Sequence, residues 1–260
     1  MILDEICEHK RGEVVAAKAK TPLSELEDRI ESAEPARDFR GALRGEGISL
    51  IAEVKRASPS KGILMEDMDP ATLGGFYEHS GAAAISVLTD EKYFQGSLAD
   101  FVSVRRAVDV PCLRKEFIID PYQIYESRAS SADAILLIVR ILSDEELKDF
   151  QALAHELGMA CLVETHDAAE VERALEADAA IIGINNRDLT TFEVDMMRTL
   201  EIKKMVPGGK VLVSESGIRT RDDVRRLDKG GIDAILVGEA LVTSDDISGK
   251  IREILGRDES

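Results

Sequence analysis

Short apolar runs rich in Val, Ile, Leu and Ala recur along the chain, at residues 49–54, 82–88, 110–114, 134–139, 159–163, 179–184, 210–213 and 233–237. They are apolar at odd and even positions alike, as parallel strands covered on both faces are. Amphipathic stretches with helix signals lie between them. Asp69 stands before Pro70-Ala71-Thr72 and Asp120 before Pro121-Tyr122, each a candidate N-cap followed by proline at the first helical position. Ser143-Asp144-Glu145-Glu146 reads as a capping box, with Leu147, Phe150 and Leu153 on one face and Gly158 closing the helix. Thr220-Arg221-Asp222-Asp223 opens a later helix that Gly230-Gly231 ends.

Eight such β-α units without a long linker predict an α/β fold, a single (β/α)8 TIM barrel. The junctions Ser80-Gly81-Ala82-Ala83, Ser131-Ala132-Asp133-Ala134, Glu176-Ala177-Asp178-Ala179 and Gly230-Gly231-Ile232-Asp233-Ala234 form a weak internal repeat of the same kind. A doubly wound open sheet is the alternative, and its usual GxGxxG fingerprint is absent from the sequence. Residues 1–48 precede the first strand. Leu3, Ile6 and the stretch 10–14 predict one helix there, and Leu23, Leu26 and Ile30 a second. Residues 1–48 are therefore expected to be an N-terminal helical extension packed on a barrel of residues 49–260, one domain overall.

Composition narrows the function classes. A net charge of −17 argues against a nucleic-acid partner. An anionic small molecule still fits if basic residues gather locally. No apolar run approaches the roughly 20 residues of a membrane span. Met1-Ile2-Leu3-Asp4-Glu5 has no basic region ahead of an apolar core, so a cytosolic location is expected. Cys7, Cys112 and Cys161 form no CxxC or zinc pattern, so no disulfide and no metal site is assigned.

Reactive groups of a barrel collect at the C-terminal ends of its strands. The first run ends Glu53-Val54-Lys55, and alternation turns Glu53 and Lys55 to the same side. Burying such charges is costly unless they are paired or used. Later ends supply Lys115, Glu164, Asn185-Asn186-Arg187 and Glu215. Two lysines beside two or three carboxylates can hold a proton donor and an acceptor together at neutral pH. A lysine could instead form a Schiff base with a carbonyl substrate. No Ser/His/Asp signature occurs. His9, His79, His155 and His166 fall on predicted helices or helix starts, and His166, two residues after Glu164, is the one kept as a candidate. Ser216-Gly217 and Gly238 follow the last two runs, where a barrel commonly binds phosphate through backbone N–H groups.

Longer motifs surround these residues: Glu53-Val54-Lys55-Arg56-Ala57-Ser58-Pro59-Ser60-Lys61-Gly62, Leu88-Thr89-Asp90-Glu91-Lys92-Tyr93-Phe94-Gln95-Gly96, Leu113-Arg114-Lys115-Glu116-Phe117-Ile118, Gly183-Ile184-Asn185-Asn186-Arg187-Asp188-Leu189 and Ser214-Glu215-Ser216-Gly217-Ile218. On these motifs the chain resembles the indole-3-glycerol phosphate synthase family of tryptophan biosynthesis over nearly its whole length. The resemblance implies conversion of 1-(2-carboxyphenylamino)-1-deoxyribulose 5-phosphate to indole-3-glycerol phosphate, carbon dioxide and water, without cofactor or metal. It implies Lys115 as general acid and Lys55 as a second cation, with Glu164 and Glu53 as base and electrostatic partner. It implies substrate contacts from Ser58, Asn185, Arg187 and Glu215, and a ring pocket of Phe94, Phe117 and Leu136. Phosphate contacts would come from Ser216, Gly217 and Gly238. Association with other tryptophan-pathway enzymes is a further expectation.

Two positions depart from the commonest family pattern. Glu116 stands where aspartate is usual, and it should point away from the pocket if Lys115 points in. Glu239 stands where some relatives carry a phosphate-binding serine. The loop of residues 57–69 is expected to move over bound substrate. Phosphoribosylanthranilate isomerase is the competing barrel enzyme, but it needs a strand-end Cys, and Cys112 and Cys161 precede the strand ends. A barrel that binds phosphorylated ligands without turnover is the competing non-enzyme.

Overall fold

A computed structural model describes residues 2–59, 61–188 and 193–257 of the chain. Ser60 of the first motif and Leu189 of the fourth lie outside the described residues. Among those described, eight parallel strands close a barrel: β1 (Ser49–Val54), β2 (Ala84–Leu88), β3 (Cys112–Lys115), β4 (Ala134–Ile138), β5 (Ala160–Thr165), β6 (Ile181–Asn185), β7 (Val211–Glu215) and β8 (Ala234–Val237). Each pairs with the next in sequence, and β8 returns to β1 with Leu236 opposite Ile51.

The apolar runs locate every strand, with edges displaced for a consistent reason. Small junction residues such as Ala82, Ala179 and Ala180 extend the apolar pattern backward, but they lie in the turns before β2 and β6. At the other end the ladder runs past the last apolar residue. β5 continues through Glu164 and Thr165, and β7 through Ser214 and Glu215. Hydrophobicity stops at the first charge, whereas backbone pairing does not.

Alternation along the strands divides the core in two. Ile51, Ala84, Leu113, Ala134, Leu136, Leu162, Ile181, Val213 and Leu236 point into the barrel. Leu50, Ile85, Cys112, Ile135, Cys161, Ile182 and Ile235 belong to the layer under the helices. The chain ahead of β1 contributes helices α1 (Ile2–Lys20), α2 (Leu23–Glu31) and the short α3 (Phe39–Ala42). Phe39 and Leu43 join the barrel interior, where they help fill it. The expected caps are present. Asp69 and Asp120 accept from backbone N–H groups of the helices they precede, and Ser143 forms a capping box with Glu146. Thr220 does the same with Asp223. No helix among the described residues is long and apolar enough to cross a membrane.

Candidate active site

Interior positions at the C-terminal ends of β1, β3, β5 and β7 are Glu53, Lys115, Glu164 and Glu215, and all four line one cavity of about 640 Å³. Lys115 Nζ donates to Glu164 Oε2 at 3.2 Å and lies 3.4 Å from Glu215 Oε2. Burial works against the Lys115 ammonium, but Glu164, Glu215 and Glu53 outweigh it, and the lysine stays charged far above its ordinary range. Glu164 and Glu215 part company. Burial disfavours ionised Glu164, yet Lys115, His166 and the Asn185 amide hold its carboxyl below the usual carboxylate range. Burial, joined by the charges of Glu164 and Glu53, raises Glu215 despite Lys115. Within one cluster, then, an ammonium, an ionised carboxylate and a carboxyl that favours its proton stand together.

Space for this cluster comes from glycine. A Cβ on Gly183 would stand 2.2 Å from Glu215 Oε1, and one on Gly238 would stand 2.6 Å from Glu53 Oε1. The β6 end fixes the orientation of Glu164. Asn185 Nδ2 donates to Glu164 Oε1 at 3.3 Å, while Asn185 Oδ1 accepts from the Arg187 backbone N–H at 3.0 Å. Asn186 faces the other way and ties β6 to β7 through Ser214 Oγ and the Ser216 carbonyl.

Lys55 Nζ lies 3.5 Å from Glu53 Oε1 and 5.8 Å from the centre of the Phe94 ring. Phe94 and Phe117 stand with ring centres 6.1 Å apart, and with Leu88, Leu136 and Ile138 they form an apolar wall of the cavity. Ser58 Oγ is buried beside it without a hydrogen-bond partner. On the opposite side Ser216 and Gly217 turn the chain with φ of 67° and 86°. That left-handed pair lines the cavity together with Gly238. The cavity thus has a cationic and aromatic side, a floor of buried lysine and carboxyl groups and a polar rim. The residues the resemblance implies all line it: Glu53, Lys55, Ser58, Phe94, Lys115, Phe117, Leu136, Glu164, Asn185, Arg187, Glu215, Ser216, Gly217 and Gly238; His166 borders an outer hollow instead.

The model for the family described as "Indole-3-glycerol phosphate synthase" matches residues 3–254. The chain belongs to the indole-3-glycerol phosphate synthase family. Relatives bearing that name include one from Dehalococcoides mccartyi, 49% identical over 259 residues, spanning 98% of this chain and 100% of the relative. Another, from Roseiflexus castenholzii, is 51% identical over 265 residues, spanning 98% of each. Among solved structures, a thiamine phosphate pyrophosphorylase from Pyrococcus furiosus superposes with a TM-score of 0.62 at 16% identity, over 82% of this chain and 96% of that one. A tryptophan synthase complex from the same organism gives 0.59 at 17%, over 80% and 97%. At those identities they show the barrel fold alone.

The two positions that the sequence singled out, Glu116 and Glu239, acquire partners here. Glu116 turns out of the barrel, as alternation requires. Its carboxylate meets Lys10 Nζ at 3.0 Å and accepts from Thr89 Oγ1 at 2.8 Å. Lys10 also meets Asp90 at 3.0 Å, so a lysine of α1 is buried between two carboxylates of the barrel's outer layer. Glu239 draws cations to the mouth: Lys61 at 2.6 Å, Arg219 at 2.8 Å and Arg187 at 3.6 Å. These cations hold its carboxyl below the usual range, although burial opposes them.

Sequence reasoning passed over several participants. Ile2, Leu3 and Ile6 of α1 reach the cavity wall. Lys10 occupies the buried stripe Leu3, Ile6, Cys7, Lys10 and Val14, and a lysine on an apolar stripe is the signal that could have found it. His166, by contrast, was already a candidate from its place two residues after Glu164, and it is buried against that carboxylate. Arg56 fastens the loop after β1, donating to the carbonyls of Met68 and Gln95 at 3.2 Å each.

Proposed function

We propose that this cavity converts 1-(2-carboxyphenylamino)-1-deoxyribulose 5-phosphate to indole-3-glycerol phosphate, carbon dioxide and water by general acid–base catalysis. The observation that carries the reading is the Lys115 ammonium held between Glu164 and Glu215 on the floor of a cavity walled by Phe94 and Phe117. The aromatic ring would lie against the apolar wall, its carboxylate near Lys55 and the unpartnered Ser58 hydroxyl. The phosphate would lie at the rim formed by Ser216, Gly217 and Gly238, where Lys61, Arg187 and Arg219 gather around Glu239.

In this pose the ring carbon bearing the carboxylate attacks the ketone carbon, and Lys115 gives a proton to the ketone oxygen as the carbon–carbon bond forms. The carboxylate then leaves as carbon dioxide, and its electron pair restores the aromatic ring. Dehydration removes the new hydroxyl as water and a proton from the adjacent carbon. A cation assists the first of these and a carboxylate accepts the second, roles suited to Lys55 or Lys115 and to Glu164 with Glu53. Asn185 and Arg187 orient the substrate, and Glu215 shapes the pocket and holds Lys115. Family membership also supports a cytosolic setting and association with other enzymes of tryptophan biosynthesis. Residues 1–48 serve as a helical extension that completes the cavity wall.

The test is turnover of that substrate in EDTA, followed by the fluorescence of the indole product. Product formation by the purified protein supports the reading. A folded protein that binds the substrate yet forms no indole would leave only a phosphosugar-binding barrel.

A further inference from the structure

Behind the reactive floor lies a histidine to which the proposed chemistry gives no role. His166 follows β5 at the second position after Glu164, so its ring returns to the same side of the chain. The side chain is almost wholly buried. Nδ1 is 3.1 Å from Glu170 Oε2, and the same oxygen accepts from the His166 backbone N–H at 2.7 Å. Nε2 is buried without a partner at hydrogen-bond distance, and it faces Glu164 Oε1 at 3.5 Å, within ion-pair range. A ring with a carboxylate at each nitrogen can donate to both only as the imidazolium.

The surroundings extend this alternation of charge. Arg140, just past β4, donates from Nε to Glu170 Oε1 at 2.6 Å and lies 3.3 Å from Asp167. On the other side Glu164 meets Lys115, and Lys115 meets Glu215. The series Arg140, Glu170, His166, Glu164, Lys115 alternates basic and acidic side chains through the barrel wall, with Glu215 beyond it. Every basic member lies between carboxyl groups, and Glu164 lies between His166 and Lys115. Glu170 is itself fixed, because it sits on the first turn of the helix Ala168–Glu176 and its backbone N–H is capped by Asp167.

We propose that His166 is a positioning residue for the reaction: as an imidazolium braced by Glu170, it keeps the Glu164 carboxylate ionised and turned toward Lys115. This rests on Glu164 being the ionised carboxylate of the proposed reaction. The structure gives His166 no route to the substrate, so its effect passes through Glu164. The titratable and charged groups around the ring are Glu164 and Lys115 on the cavity side and Glu170, Asp167 and Arg140 on the other. Asp188, Arg198 and Glu201 line the outer hollow that His166 also borders.

The test compares pH profiles of kcat/KM for the wild type, His166→Asn and His166→Gln, with Glu164→Gln alongside. Either histidine substitution removes the ring charge and keeps a polar group. The acid limb is expected to move up by about 1 pH unit or more, as loss of an opposite charge at this distance would cause. A profile that keeps its shape and falls uniformly would overturn the proposal, because a structural role lowers activity without moving the limb. Should neither variant fold, ring-nitrogen NMR shifts of His166 in the wild-type protein decide. Doubly protonated nitrogens at neutral pH support the proposal, and a single neutral tautomer overturns it. Wild-type-like turnover by Glu164→Gln would refute the role of Glu164 itself. An inactive Glu164→Gln beside an unmoved limb in the histidine variants would refute the His166 inference alone.

Discussion

Lys115 stays charged because of what surrounds it. An ammonium on an apolar barrel floor would lose its proton to desolvation. Three carboxylates reverse that outcome, and two glycines make room for them. Gly183 is the sharper case, since a methyl group there would lie 2.2 Å from Glu215 Oε1 and 3.3 Å from Leu162. Gly183→Ala should push Glu215 away from Lys115 and lower kcat by about 10²-fold, the scale of small misplacements in an active site. Stability should fall by only about 1–3 kcal/mol, as overpacking of a core does. Unchanged kcat in steady-state assays would show that Glu215 can move without consequence. At this scale the sequence was legible where strand alternation fixes direction, as for Glu53, Lys55, Lys115, Glu164 and Glu215. Gly183 carried no such signal, because its role is the absence of a side chain opposite a carboxylate two strand positions past Val213 on the neighbouring strand.

Helix α1 is joined to the barrel by more than apolar contact. Its Lys10 is 3% exposed and lies 3.0 Å from each of Asp90 and Glu116, with Glu13 beside it on the helix. Glu116 adjoins Lys115, so the anchor of the first helix is one residue from the proposed general acid. Lys10→Met would remove the buried cation beside Asp90 and, among the described residues, leave Glu116 only the Arg114 cation at 3.9 Å. Urea unfolding should show a loss of about 3–5 kcal/mol. A loss below about 1 kcal/mol would instead mark an interaction no stronger than a surface pair. The helices and their caps were readable from local signals such as Asp69, Asp120, Ser143 and Thr220. What α1 grips was not readable, because Lys10 meets Glu116 only after β2 and β3 are brought together. The contacts of Arg56 with Met68 and Gln95 were hidden for the same reason.

For the whole molecule, an acidic chain with a net charge of −17 gathers several of its cations, among carboxylates, along one cavity. Lys55, Lys115, Lys61, Arg187 and Arg219 lie along one cavity, which suits an anionic substrate that the outer surface would repel. Buried carboxylates also tie stability to pH. Glu164 and Glu170 are both opposed by burial, but their basic and hydrogen-bonding partners prevail, and both titrate lower in the folded state than an ordinary carboxylate. Below the ordinary range the unfolded chain then binds protons that the folded protein does not. Their contribution is present above that range and is lost as pH falls toward the folded values. Glu215 has the opposite sign, since its raised folded value makes its contribution decline as pH rises. The thermal midpoint should therefore drop as pH falls below about 4, where Glu215 is largely protonated in both states and no longer offsets the loss, and a flat midpoint between about pH 4 and about pH 2 in scanning calorimetry would contradict these assignments. The barrel was legible in outline from eight apolar runs. The strand edges were not, because hydrogen bonding carries β5 and β7 through Glu164 and Glu215, the charged residues of the proposed site.

The most direct test of the central claim, that Lys115 between Glu164 and Glu215 is the acid that drives ring closure, is the indole fluorescence assay run on Lys115→Ala beside the wild type, with binding of indole-3-glycerol phosphate measured on both. The account predicts a fall in kcat of about 10³-fold, within the span of general acid catalysis, while the variant still folds and binds the product. A variant that turns over within about tenfold of the wild type, well short of that span, would contradict it.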